Sequence, residues 1–222
     1  MKKYSFNEAA NYDLKIKRQI PHYEKILQLT MDSIHKFNPS FLLELGIGTG
    51  SLARKLLECS PNIAIDAWDN SREMLQVARE KLSKFSNNVL LKEGNMFNLN
   101  YDFNKYDIVL CAFSFHHGVF YEKKRLLIKI RDALKENGSF YLVDFFSGRD
   151  LVEDGLFLDY WKKFLKKKGF SKIDIEFFFN EIKLYDRPES IDIIEDMARN
   201  CGFKHFENIY QKRQFAVVKF FK

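Results

Sequence analysis

The chain has 222 residues, of which 46% are apolar and 30% charged, and 36 Lys+Arg against 30 Asp+Glu leave a net charge of +6. Such a composition supports a sizeable core in one generous domain and excludes disordered and fibrous classes, and no apolar run approaches the ~20 residues of a membrane span. Three scattered cysteines (Cys59, Cys111 and Cys201) and a basic N-terminus, Met1 to Glu8, without an apolar signal segment point to a reducing cytoplasm, not to a disulfide framework, a zinc site or secretion.

Residues 21–38 carry Tyr23, Ile26, Leu27, Thr30, Met31, Ile34 and Phe37 at helical spacing behind Pro21, and Asn38-Pro39 stops that helix. Short apolar runs then alternate with helical patterns. Residues 41–45, 63–68, 89–93, 107–113 and 139–145 read as strands. Residues 51–58, 71–85 and 121–136 read as helices, the last closed by Asn137-Gly138 in a left-handed cap. This rhythm predicts crossover units and a parallel sheet. It breaks after Phe146. Residues 150–168 read as a helix, with Val152, Leu156, Tyr160, Trp161, Phe164 and Leu165 on one side. Residues 173–177 alternate like a strand, but Ser171-x-x-Asp174 resembles a helix start and predicts a helix over 171–185. A helix over 188–200, stopped by Gly202, and strands over 204–210 and 214–220 finish the chain. The two inserted helices lie where a lid over the C-terminal edge of the sheet could form. One domain is expected, with an N-terminal helical cap (1–39), a ligand-binding core (40–146), a helical insert (147–187), and a C-terminal helix and hairpin (188–222).

The first crossover carries the strongest chemical signal, Leu42-Leu43-Glu44-Leu45-Gly46-Ile47-Gly48-Thr49-Gly50. Glycines after a strand let backbone approach a ligand closely, and the helix beyond them offers unpaired N–H groups. The spacing is G-x-G-x-G, not the G-x-G-x-x-G of a dinucleotide's pyrophosphate site. Glu44 puts an acid near the end of an apolar strand, where a buried charge is costly unless something pairs with it. Asp69 ends the second strand, 19 residues past Gly50, where a carboxylate can accept from both hydroxyls of a ribose. An acid before the glycines suits a ligand bearing ammonium and sulfonium groups.

With these residues the chain resembles the class I S-adenosylmethionine-dependent methyltransferases from its first helix to its last strand. Leu42–Gly50 is similar to the family's first motif and Asp69-Asn70-Ser71-Arg72-Glu73-Met74-Leu75 to its ribose-acid motif. Gly94-Asn95-Met96 resembles the segment that frames adenine, with Asn95 where the family usually has Asp. Residues 106–117, ending in His116-His117, resemble the fourth-strand motif. Residues 134–142 resemble the turn into the fifth strand, and Ala198–Phe203 the turn before the last hairpin. The resemblance implies a Rossmann-like, doubly wound α/β sheet of seven strands, the last antiparallel, with S-adenosylmethionine as cofactor. It implies that Glu44, Gly46, Ile47, Gly48 and Gly50 line the methionine side, that Asp69 and Asn70 hold the ribose, and that Asn95 and Met96 frame the adenine, with Ala112 at the end of the fourth strand.

Asn11-Tyr12-Asp13 and Ile20-Pro21-His22-Tyr23 resemble the N-terminal cap of small-molecule methyltransferases and of the related carboxy-S-adenosylmethionine synthases, which puts Tyr23 against the cofactor. Those synthases hold the extra carboxylate of their product with an arginine that has no counterpart in the insert here, which favours ordinary methyl transfer. His116 and His117 fall beside the expected methyl group, where one could act as general base for an oxygen or nitrogen acceptor. Cys111 lacks the preceding proline of a cytosine-C5 nucleophile, and the fourth strand lacks the Asn/Asp-Pro-Pro-aromatic grip on base amines.

The expected activity is therefore methyl transfer to a small-molecule acceptor in the cytoplasm, with no metal and no membrane partner. Two alternatives remain. The basic excess and Lys162–Lys168 allow a transfer RNA or other RNA substrate, although that run reads first as the solvated face of a helix. Asn95 in place of Asp allows a cofactor-binding module without activity. The sequence leaves monomer against homodimer open.

Overall fold

The computed structural model describes residues 5–222; Met1 to Tyr4, the start of the segment read for a secretory signal, lie outside the described residues. Three helices, α1 (Phe6–Ala10), α2 (Tyr12–Gln19) and α3 (Tyr23–Phe37), precede β1 (Phe41–Leu45) and α4 (Ser51–Cys59). Then come β2 (Ala64–Asp69), α5 (Arg72–Lys81), β3 (Val89–Glu93), β4 (Tyr106–Ala112), α6 (Phe120–Ala133) and β5 (Leu134–Phe145). The insert supplies α7 (Leu151–Lys167) and α8 (Lys172–Tyr185), and α9 (Ile191–Asn200), β6 (His205–Lys212) and β7 (Phe215–Phe221) close the chain. Among the described residues no helix is long and apolar enough to cross a membrane.

The strands form one sheet in the order β3-β2-β1-β4-β5-β7-β6, with β7 antiparallel to both its neighbours. This is the doubly wound seven-stranded α/β sheet that the sequence predicts. Its central strands β1, β4, β5 and β7 are largely apolar on both sides because helices cover both faces, whereas the edge strand β6 is exposed. Alternate residues of β1 and β4 divide accordingly. Leu42, Ile108 and Leu110 pack with the cap, α4, α5 and the insert, whereas Leu43, Val109 and Cys111 pack with α6 and α9. Strand order reverses between β1 and β4, and at such a switch point the chain ends splay to leave a crevice beyond the strands' carboxyl ends.

Local sequence explains most boundaries. Asp150 caps α7 by accepting from the N–H groups of Val152 and Glu153, and Ser190 caps α9 through Ile193 N–H. Ser171 and Asp174 form a reciprocal capping box, so residues 172–185 are helix despite the strand-like alternation of 173–177. One expectation fails. Helix α6 ends at Ala133, and Asn137-Gly138 makes no left-handed cap, since Gly138 is not among the glycines of positive φ. Leu134, fully buried, already pairs with Tyr106, and the ladder resumes only at Ile108 with Ser139, so the intervening residues bulge out of the strand. Burying the leucine side chain outweighs one more turn of helix. The lysines of the 162–168 run are exposed on α7 while Trp161 and Leu165 point inward, as a solvated helix face requires.

Candidate functional site

The crevice at the switch point is a cavity walled by the glycine loop, the ends of β1, β2 and β4, and the cap helices. Gly46 and Ile47 both donate backbone N–H to Trp68 O, at 2.8 and 3.0 Å, which locks the loop onto the second strand. Gly46 (φ +74°) has no room for a side chain, because a Cβ would fall 2.2 Å from Ser114 Oγ. Gly48 (φ +56°) differs, since a Cβ there would meet nothing within 4 Å. Its bare edge lies along the cavity. Asp69 accepts from Gly48 N–H (2.8 Å) and Ser71 N–H (2.9 Å), so the second-strand acid also holds the loop. Burial raises its pKa, and these backbone bonds oppose the shift.

Glu44 is 2% exposed, and its Oε2 has no hydrogen-bond partner. Burial, and after it the charge of Asp69, pushes its pKa up to about 8. An orphaned carboxyl oxygen on a cavity wall is expensive unless a donor or cation arrives with the ligand. A ligand with an ammonium and a sulfonium group meets that need; a phosphate would worsen it.

Glu44 titrates near 4.5 when unfolded and at about 8 when folded, so between those values the folded state holds the extra proton and stability falls as pH rises. Glu44→Gln is expected to gain stability over the wild type progressively across that window and no further above it, in thermal melts of ligand-free protein. A cationic ligand beside the carboxylate should also expel the proton at neutral pH, giving binding heats that depend on the buffer's ionisation enthalpy. Buffer-independent heats for the wild type would contradict this.

Of the residues expected at the cofactor, Tyr23, Glu44, Gly46, Ile47, Gly48, Asp69, Asn70, Met96 and Ala112 line this one cavity, and His117 joins them. Gly50 and Asn95 do not. Gly50 (φ +74°) precedes α4, and a Cβ there would press on Leu82 at 2.9 Å, so its role is close packing of the loop against α5. Asn95 turns its side-chain oxygen to Phe97 N–H at 3.1 Å, which holds the turn instead of facing the cavity. Residues the sequence reading missed include Trp68, Thr49, Ser51, Phe113 and Asp13. Asp13, from the cap, accepts from Thr49 Oγ1 (2.6 Å) and Ser51 Oγ (2.8 Å) and pairs with Lys81. Burial opposes its ionised form, but these bonds outweigh it and lower the pKa. They also fasten the cap over the loop, and the Asn11-Tyr12-Asp13 motif was the available signal.

A second cavity, of about 290 Å³, opens beside the first. Its wall is aromatic, with Phe113, Phe145, Trp161, Phe170, Phe177, Phe178 and Tyr185, so the insert contributes as a lid would. Phe164 and Phe179 pack in the core instead. Tyr12, Ile16, Phe113 and His117 line both cavities. Phe113 stands at the partition with φ +52°, an uncommon conformation for an aromatic residue, held by Phe113 N–H to Val143 O at 2.7 Å.

His116 is buried, and its Nδ1 lies 2.6 Å from Asp144 Oδ1. Asp144 also accepts backbone N–H from His116 (3.1 Å) and Phe145 (2.9 Å). Burial disfavours the charged imidazole, but Asp144 and then Asp186 outweigh it and raise the pKa. His117 Nδ1 lies 3.0 Å from Asp186 Oδ1; burial and the neighbouring His116 lower its pKa. Both histidines expected at the reacting group thus stand at or beside the junction, joined by two carboxylates that sequence reading did not assign.

A switch-point crevice with a glycine loop, a ribose-type acid and an unpaired acid on the first strand is the arrangement that the sequence resemblance to class I S-adenosylmethionine-dependent methyltransferases leads one to expect. The model for the methyltransferase domain matches residues 42–138. The chain is 26% identical over 225 residues to a carboxy-S-adenosyl-L-methionine synthase of Campylobacter lari, covering 99% of this chain and 94% of the relative. It is 28% identical to the protein of that name from Sulfurimonas denitrificans, covering 97% and 93%. Among solved structures it resembles human N-acetylserotonin methyltransferase in complex with S-adenosylmethionine, with a TM-score of 0.67 and 16% identity. The match spans 98% of this chain and 56% of that one. Residues 42–138 thus match a methyltransferase domain, and the chain is similar along almost its whole length to S-adenosylmethionine-using enzymes, so S-adenosylmethionine is the cofactor that the first cavity fits.

Proposed function

We propose that the chain transfers the methyl group of S-adenosylmethionine to a small acceptor with an apolar or aromatic body held in the second cavity. The observation that carries this reading is the shared wall: Phe113 and His117 belong to both cavities, so a ligand in each would meet there. Bound in the first cavity, the cofactor supplies an electrophilic methyl on a positive sulfur. The chain's own work is alignment and exclusion of water, effects worth ~7–11 kcal/mol when geometry is well held. Glu44 balances the ligand's charge, Asp69 and Gly48 position the ribose side, and Met96 packs against the base. The cap and insert helices shut solvent out. The reducing interior of a cell suits the three unpaired cysteines.

A single histidine base is too simple for this junction. His116 commits Nδ1 to Asp144, and His117 commits Nδ1 to Asp186, so His116, His117 and Asp186 face the acceptor as one polar group. His117→Ala is expected to lower kcat by ~10²–10⁴-fold while the affinity for S-adenosylhomocysteine changes little.

The similarity to carboxy-S-adenosyl-L-methionine synthases along almost the whole chain favours a second reading, in which the cofactor itself is modified. A new carboxylate beside the sulfonium would need a cation to receive it. Among the described residues no arginine lines either cavity, and the second wall carries Glu8, Asp174, Glu181 and Asp186 against Lys15. That field repels an anion, so we assign methyl transfer.

Incubation with methyl-labelled S-adenosylmethionine and a cell extract tests the reading. Label is expected in the low-mass fraction, with S-adenosylhomocysteine as the spent cofactor. Label in RNA, a cofactor of increased mass, or no turnover at all would each overturn it.

A further inference from the structure

We propose that His116, His117 and Asp186 bind a divalent transition-metal ion at the rim of the second cavity. The three offer one donor atom each, and those atoms lie within 4.8 Å of one another. His117 Nδ1 is 3.0 Å and His116 Nε2 3.7 Å from the same oxygen, Asp186 Oδ1. Metal–donor bonds of about 2.0–2.2 Å put neighbouring donors roughly 3–3.5 Å apart in tetrahedral or octahedral geometry, so two edges of the site already stand near their bound lengths.

The tautomer follows from Asp144. That carboxylate accepts three N–H groups, two from backbone and one from His116 Nδ1, which assigns the proton to Nδ1 and leaves a lone pair on Nε2. The lone pair then faces Asp186 Oδ1, another lone-pair atom, at 3.7 Å, and a cation there would be attracted by both while replacing the proton that His117 Nδ1 shares with the same oxygen at 3.0 Å. A carboxylate behind a histidine whose far nitrogen is free is the usual support of a metal-ligating imidazole. The alternative occupant is a single proton on Nε2, which would make His116 an imidazolium between two carboxylates.

The scaffold is rigid where it must be. Arg187 N–H donates to His116 O at 2.7 Å, tying the loop that carries Asp186 to the loop that carries the histidines. The buried Lys123 donates to Arg187 O and anchors the same segment. The His116 and Asp186 side chains are only 8% and 11% exposed, so a cation there would be shielded from water. Three protein ligands leave further positions open, the pattern of a reactive site and not of a closed structural one. Imidazole and carboxylate donors suit zinc, cobalt, iron(II) or manganese. The open positions face the aromatic cavity, where an oxygen or nitrogen donor of an acceptor could complete the shell. The site does not depend on the methyl-transfer reading, and its test is a binding measurement.

Untagged full-length protein, stripped with a chelator, would be titrated with cobalt(II) and, in parallel calorimetry, with zinc(II). The expected result is one equivalent bound, with visible ligand-field absorption and no thiolate charge-transfer band, and a metal-induced rise in melting temperature. Asp186→Asn and His117→Gln should abolish that binding, and Asp144→Asn should weaken it by about 10–100-fold by releasing the imidazole's orientation. Circular dichroism of the metal-free variants separates loss of a ligand from loss of fold, and wild-type stoichiometry stands whether or not a variant folds. No cobalt bound by the wild type, or binding unchanged in folded Asp186→Asn and His117→Gln, would overturn the site and leave the proton as its occupant.

Discussion

Asp69→Ala is expected to weaken S-adenosylhomocysteine binding by ~2–4 kcal/mol, the largest loss from any single cofactor-side replacement. Two effects add. A carboxylate accepting from two hydroxyls forms charge-assisted bonds, stronger than neutral ones and lost together. The same carboxylate holds Gly48 N–H at 2.8 Å and Ser71 N–H at 2.9 Å, so its removal leaves two donors of the glycine loop and the α5 cap without their partner. The loop then has to be ordered by the ligand, at the ligand's cost. Asp69→Asn should lose less, because one acceptor oxygen remains, although its amide must face a backbone donor at the other position. Calorimetry on folded variants measures both. An Ala variant that binds as tightly as the wild type would show that the second-strand acid does not hold the cofactor.

Trp161→Ala is expected to destabilise the fold by ~3–5 kcal/mol, a large part of the ~5–15 kcal/mol typical of a whole domain. Trp161 is 4% exposed, and its ring meets those of Phe145, Phe178, Phe179 and Phe215 edge-on at centroid distances of 5.3, 5.2, 5.5 and 4.9 Å. Its Nε1–H donates to Gln19 O at 2.6 Å, so one side chain joins the insert, the sheet and the cap. Truncation leaves a cavity and removes the donor of the half-buried Gln19 carbonyl together. None of the groups it touches lines the first cavity. The variant's folded fraction should therefore keep its affinity for S-adenosylhomocysteine while losing the second cavity's wall. Urea unfolding gives the first number and calorimetry the second. Trp161→Phe, which refills most of the space, should recover much of the stability. A loss below about 1 kcal/mol for the Ala variant would mean that the insert is held by other contacts.

The strand–helix rhythm was legible because it is written locally. A run such as Phe41–Leu45 is too short and too apolar for anything but a covered strand, and Ser171 with Asp174 carries its own helix start. Glu44 was legible for a related reason: a charge on an otherwise apolar strand contradicts burial unless a ligand answers it. Gly138 misled because its neighbours resemble a helix cap, while the burial of Leu134 against Tyr106, a contact made across the sheet, decided the outcome. Gly50 and Asn95 look like ligand contacts in a motif. Whether each touches the cavity depends on the packing of Leu82 and on the turn to Phe97 N–H.

The sequence by itself determined the sheet, its order of elements, the glycine loop and the two acids that suit a cationic adenosyl ligand. Only the tertiary structure decided which side chains converge on chemistry. Asp13 reaches Lys81 across 68 positions, His116 reaches Asp144 across 28, and His117 reaches Asp186 across 69. Periodicity and capping act over a few residues, so they specify each element but carry no information about which loops meet. Those meetings are set by strand order and by the packing of cap and insert over the sheet, and the junction of the two cavities is where they coincide.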